Sequence, residues 1–204
     1  MQTISVRAER EYDICFVESW RLQFAEIAKS HEKVLVIAPS ELVTKYDLRS
    51  LKSSGVQVIE TPAGESAKSP EYLLELWKVC GDFGLTRSDV IVGIGGGATT
   101  DLAGFVAATW LRGISWYAFP TSLAGMVDAA IGGKTGVNSS HGKNLVGAFH
   151  SPESVIIDQV FLKTLSIRDF NAGMAEIIKA GFIDNPKILE LAKNPTENIG
   201  ELIW

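Results

Sequence analysis

The stretch Val90–Phe119, VIVGIGGGATTDLAGFVAATWLRGISWYAF, decides the fold. An apolar run from Val90 to Ile94 has strand character and feeds directly into Gly95-Gly96-Gly97. Apolar residues then recur at helical spacing through Leu102, Phe105, Val106, Thr109 and Trp110. Thr99, Thr100 and Asp101 are candidate N-caps for that helix. Ile114 to Phe119 is a second strand-like run, stopped by Pro120. Strand, glycine turn, helix and strand joined by short connections predict a parallel sheet with helices on its faces.

Working outward, the same alternation continues. Glu32 to Pro39 (EKVLVIAP) reads as a buried strand and Val56 to Glu60 as another. Between them, Ser40 to Ser53 is predicted helical with Ser40 as N-cap, and Tyr12 to Ser30 carries helical spacing through Ile14, Val17, Leu22, Phe24 and Ile27. Ser69-Pro70-Glu71 opens a helix through Phe83: Ser69 caps, Pro70 sits where a missing N–H costs nothing, and Gly84 closes. Val155 to Asp158 is a late strand. Ser166 to Ile183 then reads as helix, with Ser166 and Asp169 at capping-box spacing. The expected architecture is α/β, a Rossmann-like parallel sheet with flanking helices over residues 1–163. Residues 164–204 are expected to begin an all-helical second domain, and the closing GELIW, with no cap, suggests that this region continues.

Composition narrows the function. The chain has 204 residues, 46% hydrophobic and 21% charged, with a net charge of −5. An acidic balance without Lys/Arg-rich runs argues against nucleic acid as partner. No apolar stretch reaches the roughly 20 residues that cross a bilayer, and the charged N-terminus lacks a signal-peptide core. Two cysteines, Cys15 and Cys80, without metal spacing read as reduced, buried thiols of a cytoplasmic protein. Against this acidic background the glycine-rich region is locally cationic: residues 102–152 hold Arg112, Lys134 and Lys143 against Asp128 alone. Most of the 19 glycines fall between Gly93 and Gly147. Cations beside exposed main chain point to a small anion such as phosphate.

The individual motifs carry unequal weight. Gly93-x-Gly95-x-x-Ala98 satisfies a dinucleotide pattern at the right place, after a strand and opening a helix, but no carboxylate follows between Ile114 and Gly125 to take a ribose. A plain strand–helix turn therefore stays open. Glu65 and Lys68 read on spacing alone as a surface ion pair. Lys134 in GGKTGVN and the Lys143-Asn144 pair suggest two phosphate-binding loops, although neither fits the GxxxxGK[ST] pattern. Glu176 and Lys179 lie three apart on one helix face, the spacing of an intrahelical pair. His31, His141 and His150 are too scattered for a metal set.

Four blocks in order, GGGATTDLAGFVAATWLRG, FPTSLAGMVDAAIGGKTGVN, GKNLVGAFHSP and LKTLSIRDFNAGMAEIIKAGFI, closely resemble the 3-dehydroquinate synthase family of sugar-phosphate cyclases. The resemblance implies a phosphate-eliminating lyase dependent on NAD and a divalent metal (Zn or Co). Its substrate would be a small sugar phosphate, 3-deoxy-arabino-heptulosonate 7-phosphate, converted to 3-dehydroquinate in the shikimate route to aromatic amino acids. It further implies a homodimer. Residue by residue, it places the cofactor on Gly95, Gly96, Gly97 and Asp101, with Glu65 and Lys68 on the adenosine side and Thr121, Ser122, Lys143, Phe161 and Thr164 lining it. Asp128, Lys134, Asn144 and Lys179 fall in the substrate pocket, Arg112 reaches the phosphate from the neighbouring subunit, and Glu176 is a metal ligand. Pro39 stands where the family usually has a ribose-binding aspartate. The two histidine ligands belong to the family's second domain, so the 204 residues alone are expected to be inactive. Another sugar-phosphate cyclase, a polyol dehydrogenase of similar fold, or a non-catalytic NAD-binding module are the alternatives.

Overall fold

The computed structural model describes residues 2–204. Strands β1 (Gln2–Arg7) and β2 (Glu11–Phe16) form an antiparallel hairpin, followed by helix α1 (Trp20–Ser30). Strand β3 (Val34–Pro39), helix α2 (Ser40–Lys45) and strand β4 (Val56–Thr61) come next. Helix α3 (Pro70–Phe83), strand β5 (Val90–Gly95), helix α4 (Gly97–Thr109) and strand β6 (Ser115–Pro120) complete the central alternation. Strands β7 (Lys134–Ser139) and β8 (Gly142–Phe149) make a separate antiparallel ribbon before strand β9 (Ser154–Ile157). Helices α5 (Ile167–Ile183), α6 (Lys187–Leu191) and α7 (Pro195–Ile203) end the chain.

The main sheet has seven strands in the order β1-β2-β9-β6-β5-β3-β4, parallel throughout except for the β1–β2 pair. Val34 to Ala38 of β3 and Val90 to Val92 of β5 are fully buried. Strands covered on both faces can be apolar at every position, which is why these two read as continuous runs rather than as alternation. Strand β6 shows the two faces directly. Trp116 packs against α4 at Gly104, while Phe119, of opposite parity, meets Phe24 of α1 with ring centroids 6.5 Å apart. Helices α1 and α4 therefore cover opposite faces.

Chain direction fixes where a ligand can sit. From β3 the chain moves outward to β4, then crosses back past β3 to β5 and on to β6 and β9. Neighbouring loops diverge where such an order reverses, opening a crevice beyond the carboxyl ends of the strands. That crevice lies between Pro39, ending β3, and Gly95, ending β5.

Helix α3 forms as its sequence demands: the Ser69 hydroxyl accepts the Tyr72 N–H at 3.3 Å, Pro70 lies in the first turn, and Gly84 closes at φ 69°. Ser166 caps α5 as expected, its hydroxyl accepting the Asp169 N–H at 3.1 Å, but the Asp169 carboxylate accepts from that hydroxyl at 2.8 Å rather than from the Ser166 main chain, so only half of the capping box forms.

Other expectations are corrected. Tyr12 to Phe16 is strand, not helix; it pairs in parallel with β9, a contact that local periodicity cannot reveal. Helix α1 starts only at Trp20, where the Ser19 side chain caps the Leu22 N–H and Asp158 accepts the Trp20 N–H at 2.9 Å. Helix α2 is short, and Ser40 does not cap it; its hydroxyl donates to the Thr61 carbonyl at 3.3 Å and ties β3 to β4. Gly96 is the N-cap of helix α4, so Thr99, Thr100 and Asp101 lie inside the helix rather than at its cap. The two expected phosphate loops are the two strands of one ribbon, laid on α4. A Cβ on Gly104 would stand 2.4 Å from Thr135 Cγ2 and 2.8 Å from Trp116, so only glycine lets the ribbon approach.

Candidate functional site

One cavity of about 600 Å³ opens beyond the carboxyl ends of the parallel strands, and four segments build it. The short 3-10 turn after β4 supplies Glu65 and Lys68, and the start of α4 supplies Gly97, Ala98 and Asp101. The helical turn after β6 supplies Asp128, and the ribbon supplies Lys134, Asn144 and Phe149. Glu65, Lys68, Gly97 and Asp101, named by the family resemblance for the cofactor, thus share one space with Asp128, Lys134 and Asn144, named for the substrate.

Lys68 joins two of these segments to its own. It is 1% exposed, so the surface-pair reading fails. Its Nζ donates to Asp101 Oδ2 and to Asn144 Oδ1, each at 2.5 Å. A buried ammonium needs such partners, because its desolvation is otherwise uncompensated. Burial pushes the Asp101 carboxyl above its ordinary range, with the Lys68 hydrogen bond and charge pulling it partly back. Lys134 is exposed and has no carboxylate within ion-pair distance among the described residues.

The start of α4 presents an anion cradle. The Thr99 and Thr100 N–H groups bond the Gly96 carbonyl, whereas Gly97 and Ala98 precede the first intrahelical donors and border the cavity. A Cβ on Gly97 would lie 2.7 Å from the Ala129 Cβ, so the turn is closed to larger residues. Thr121 and Ser122 stand beside it: the Thr121 N–H donates to the Gly95 carbonyl at 2.9 Å, and the Ser122 hydroxyl accepts the Gly125 N–H at 3.2 Å. These residues fit the pyrophosphate of a dinucleotide, held by helix N–H groups and dipole. At the crevice, Thr61 opposes Pro39 in register, and its buried Oγ1 is the one such side-chain atom without a partner among the described residues.

Other expected site residues lie apart. The Phe161 ring is 1% exposed and packs against Trp20 and Tyr46, leaving its main chain as the part able to meet a ligand. Thr164 shares a 2.5 Å hydrogen bond with the Tyr46 hydroxyl. Lys143 is exposed on the ribbon. Arg112 lines a second cavity of about 480 Å³ with Arg10, Arg87 and His150, and only Ala148 and Phe149 border both spaces. Glu176 and Lys179 pair within α5, as their spacing predicts. The hydrogen bond to Glu176 raises the Lys179 ammonium, and neither residue borders the cavity that holds Asp128. Glu176 itself borders a small, mainly apolar space of about 240 Å³ with Met126 and Ile177. Among the described residues, no three His, Cys, Asp or Glu side chains converge on a metal position. Cys15 and Cys80 are both buried and free, and burial pushes the Cys80 thiol up to about 12.

Sequence reasoning missed Asn138. Its amide bridges Glu65 of the turn and Asn144 of the ribbon. Asparagine next to a hairpin turn is ordinary turn chemistry, so nothing in the local sequence marks it.

Comparison with known proteins identifies the family and the fold. Residues 58–172 match the family described as 3-dehydroquinate synthase N-terminal. The 3-dehydroquinate synthase of Streptomyces avermitilis is 56% identical over 164 residues, which is 78% of this chain and 45% of that protein. That of Corynebacterium jeikeium is 41% identical over 219 aligned positions, 99% of this chain and 59% of that protein. The chain thus spans about half the length of the relatives it matches. Among solved structures, 2-epi-5-epi-valiolone synthase from Streptomyces hygroscopicus, with NAD+ and Zn2+ bound, superposes with a TM-score of 0.83 at 29% identity, over 98% of this chain and 57% of that one. A 2-deoxy-scyllo-inosose synthase with carbaglucose-6-phosphate, NAD+ and Co2+ gives 0.76 at 27% identity, over 87% and 50%. Glycerol dehydrogenases near 22% identity share the fold. With more than half of its residues inside the family match and its glycine turn, ribbon and α5 in place, this chain belongs to the 3-dehydroquinate synthase N-terminal family.

Proposed function

We propose that the protein carrying this chain is a 3-dehydroquinate synthase, a phosphate-eliminating carbon–oxygen lyase that converts 3-deoxy-arabino-heptulosonate 7-phosphate to 3-dehydroquinate and phosphate. The observation that carries the proposal is the single cavity joining the α4 N-terminus, Lys68 and Asp101 to Asp128, Lys134 and Asn144. A dehydrogenase of small neutral polyols has no use for a cation and an amide aimed at the same space.

In this reading residues 1–163 hold NAD, and residues 164–204 begin a helical unit. The N–H groups of Gly97 and Ala98 take the pyrophosphate, Gly95 and Gly96 let it approach, and Glu65, Lys68 and Asp101 meet the rest of the nucleotide. Thr121, Ser122, Lys143 and the main chain from Phe161 to Thr164 line it. When bound, NAD would supply reversible hydride transfer with no net change in its own oxidation state. Lys134 and Asn144 hold the substrate phosphate, and the Lys134 charge stabilises the dianion as its bond to carbon breaks. Asp128, which borders the cavity, and Lys179 of α5 orient the sugar hydroxyls. Arg112, facing away from this cavity, acts on the phosphate of a second subunit in a homodimer.

Glu176 is the one carboxylate proposed as a ligand for a divalent metal, Zn or Co. A catalytic zinc site uses three protein ligands, so the donor set among the described residues does not hold a metal by itself. None of the described helices is long and apolar enough to cross a membrane, in keeping with a cytoplasmic location.

The test is a panel of sugar phosphates offered to the intact protein with NAD and metal. Release of phosphate from the heptulosonate phosphate, without net NADH, supports the proposal; preference for a phosphate that yields an inosose or valiolone transfers it to a sister cyclase.

A further inference from the structure

We infer that Asn138 is the positioning residue that sets Asn144 for phosphate and locks it to the cofactor side through Glu65. The ribbon is irregular at one point. Its register runs Lys134↔Phe149 to Val137↔Val146, then resumes at Ser139↔Gly142. Between these pairs, Asn138 on β7 faces Lys143, Asn144 and Leu145 on β8, so the longer strand must bulge. Asn144 takes up the excess at φ 57°, a conformation that asparagine tolerates better than most residues.

A bulge leaves ladder groups without partners, and Asn138 replaces them with its own side chain. Its Oδ1 accepts the Asn144 N–H at 3.1 Å, its Nδ2 donates to Glu65 Oε2 at 2.7 Å, and its own N–H donates to the Lys68 carbonyl at 2.8 Å. The amide orientation follows from chemistry, since a main-chain N–H can only donate and an ionised carboxylate can only accept. Three bonds from one residue thus fix the bulge, the Glu65 carboxylate and the turn carrying Lys68. The Lys68 ammonium closes the circuit on Asn144 from the other side. Movement of the cofactor-side turn is transmitted to the phosphate-side amide through this link. Asn138 does not border the cavity and acts through Asn144 and Glu65, not on the ligand.

This inference rests on the proposed assignment of the cavity to NAD and a phosphate, and it is tested by binding rather than turnover. The probes are NAD and inorganic phosphate, titrated separately into the intact protein. Asn138→Ala should weaken each by about tenfold, since both a charged and a main-chain hydrogen bond are lost. Asn138→Asp places two carboxylates face to face and should weaken phosphate at least as much. Adding Glu65→Gln to Asn138→Asp restores the bond with donor and acceptor exchanged at unchanged net charge, and phosphate affinity should recover to within about threefold of wild type. A residue that only supports the fold would show no such rescue, and the rescue pair decides the matter if Asn138→Ala does not fold. Unchanged phosphate affinity in Asn138→Asp, or no recovery in the double variant, overturns the inference even in an enzyme that turns over its substrate. Rescue in a protein that binds NAD and phosphate but fails to turn over the heptulosonate phosphate overturns the proposed reaction and supports the link.

Discussion

Replacing Lys68 by Met tests how the site is held together. Methionine preserves most of the stem but removes the charge that faces Asp101 and Asn144 at 2.5 Å. Breaking a buried pair by deleting one partner costs about 3–5 kcal/mol, because the remaining charge stays desolvated. The Asp101 side chain retains 20% exposure, so water relieves part of that cost and the lower end, about 3 kcal/mol, is expected. For a chain of this size that is a fall in Tm of roughly 6–12 °C. The deficit has a pH signature. The Asp101 carboxyl is already raised by burial, and losing Lys68 raises it further. A carboxyl raised in the folded state contributes stability that is complete below its unfolded value of about 3.9 and is lost as pH rises through the folded value. The variant's deficit should therefore be small near pH 4 and grow towards neutrality. Urea unfolding at several pH values measures it. A deficit that is flat with pH, or below about 1 kcal/mol at neutrality, would refute the buried-pair argument.

Three further outcomes follow from particular contacts. Gly97→Val places a Cβ 2.7 Å from Ala129 and crowds the N–H groups proposed for the pyrophosphate, so NAD affinity in a fluorescence titration should fall at least about tenfold. Gly104→Ala drives a methyl into Thr135 and Trp116 and should cost about 1–3 kcal/mol while loosening the ribbon, read as faster hydrogen exchange in β7 and β8. Asp89 is buried, which alone would raise its carboxyl, but hydrogen bonds from Thr86 and Lys33 hold it below its ordinary value. Its contribution is present above about pH 3.9 and lost as pH falls through the folded value, so Asp89→Asn should destabilise at neutral pH and converge with wild type in strong acid.

Which parts of the molecule were legible from sequence follows from which interactions are local. Helix α3 and the start of α5 were readable because Ser69, Pro70, Gly84, Ser166 and Asp169 act within a few residues of themselves. The central strands were readable because burial on both faces forbids polar residues there. The strand at Tyr12 to Phe16 was not, since its partner β9 lies some 140 residues away, and its apolar positions also suit a helix. The ribbon is illegible as strands because its glycines hide the alternation that marks a strand; Gly136 and Gly147 face each other across it, where a Cβ would collide with the opposite strand's main chain. In the site, family resemblance named Lys68, Asp101 and Asn144 separately. Their mutual bonds, and Asn138 behind them, are properties of the folded arrangement that spacing does not encode.

The central claim is that one cavity serves both cofactor and sugar phosphate in a cycle that leaves NAD unchanged. Its most direct test is to supply the intact protein with 3-deoxy-arabino-heptulosonate 7-phosphate, catalytic NAD and a divalent metal, and to follow phosphate, 3-dehydroquinate and NADH together. Equal amounts of phosphate and 3-dehydroquinate with no net NADH are predicted; NADH accumulating with substrate consumption, or substrate oxidised without phosphate release, would contradict it.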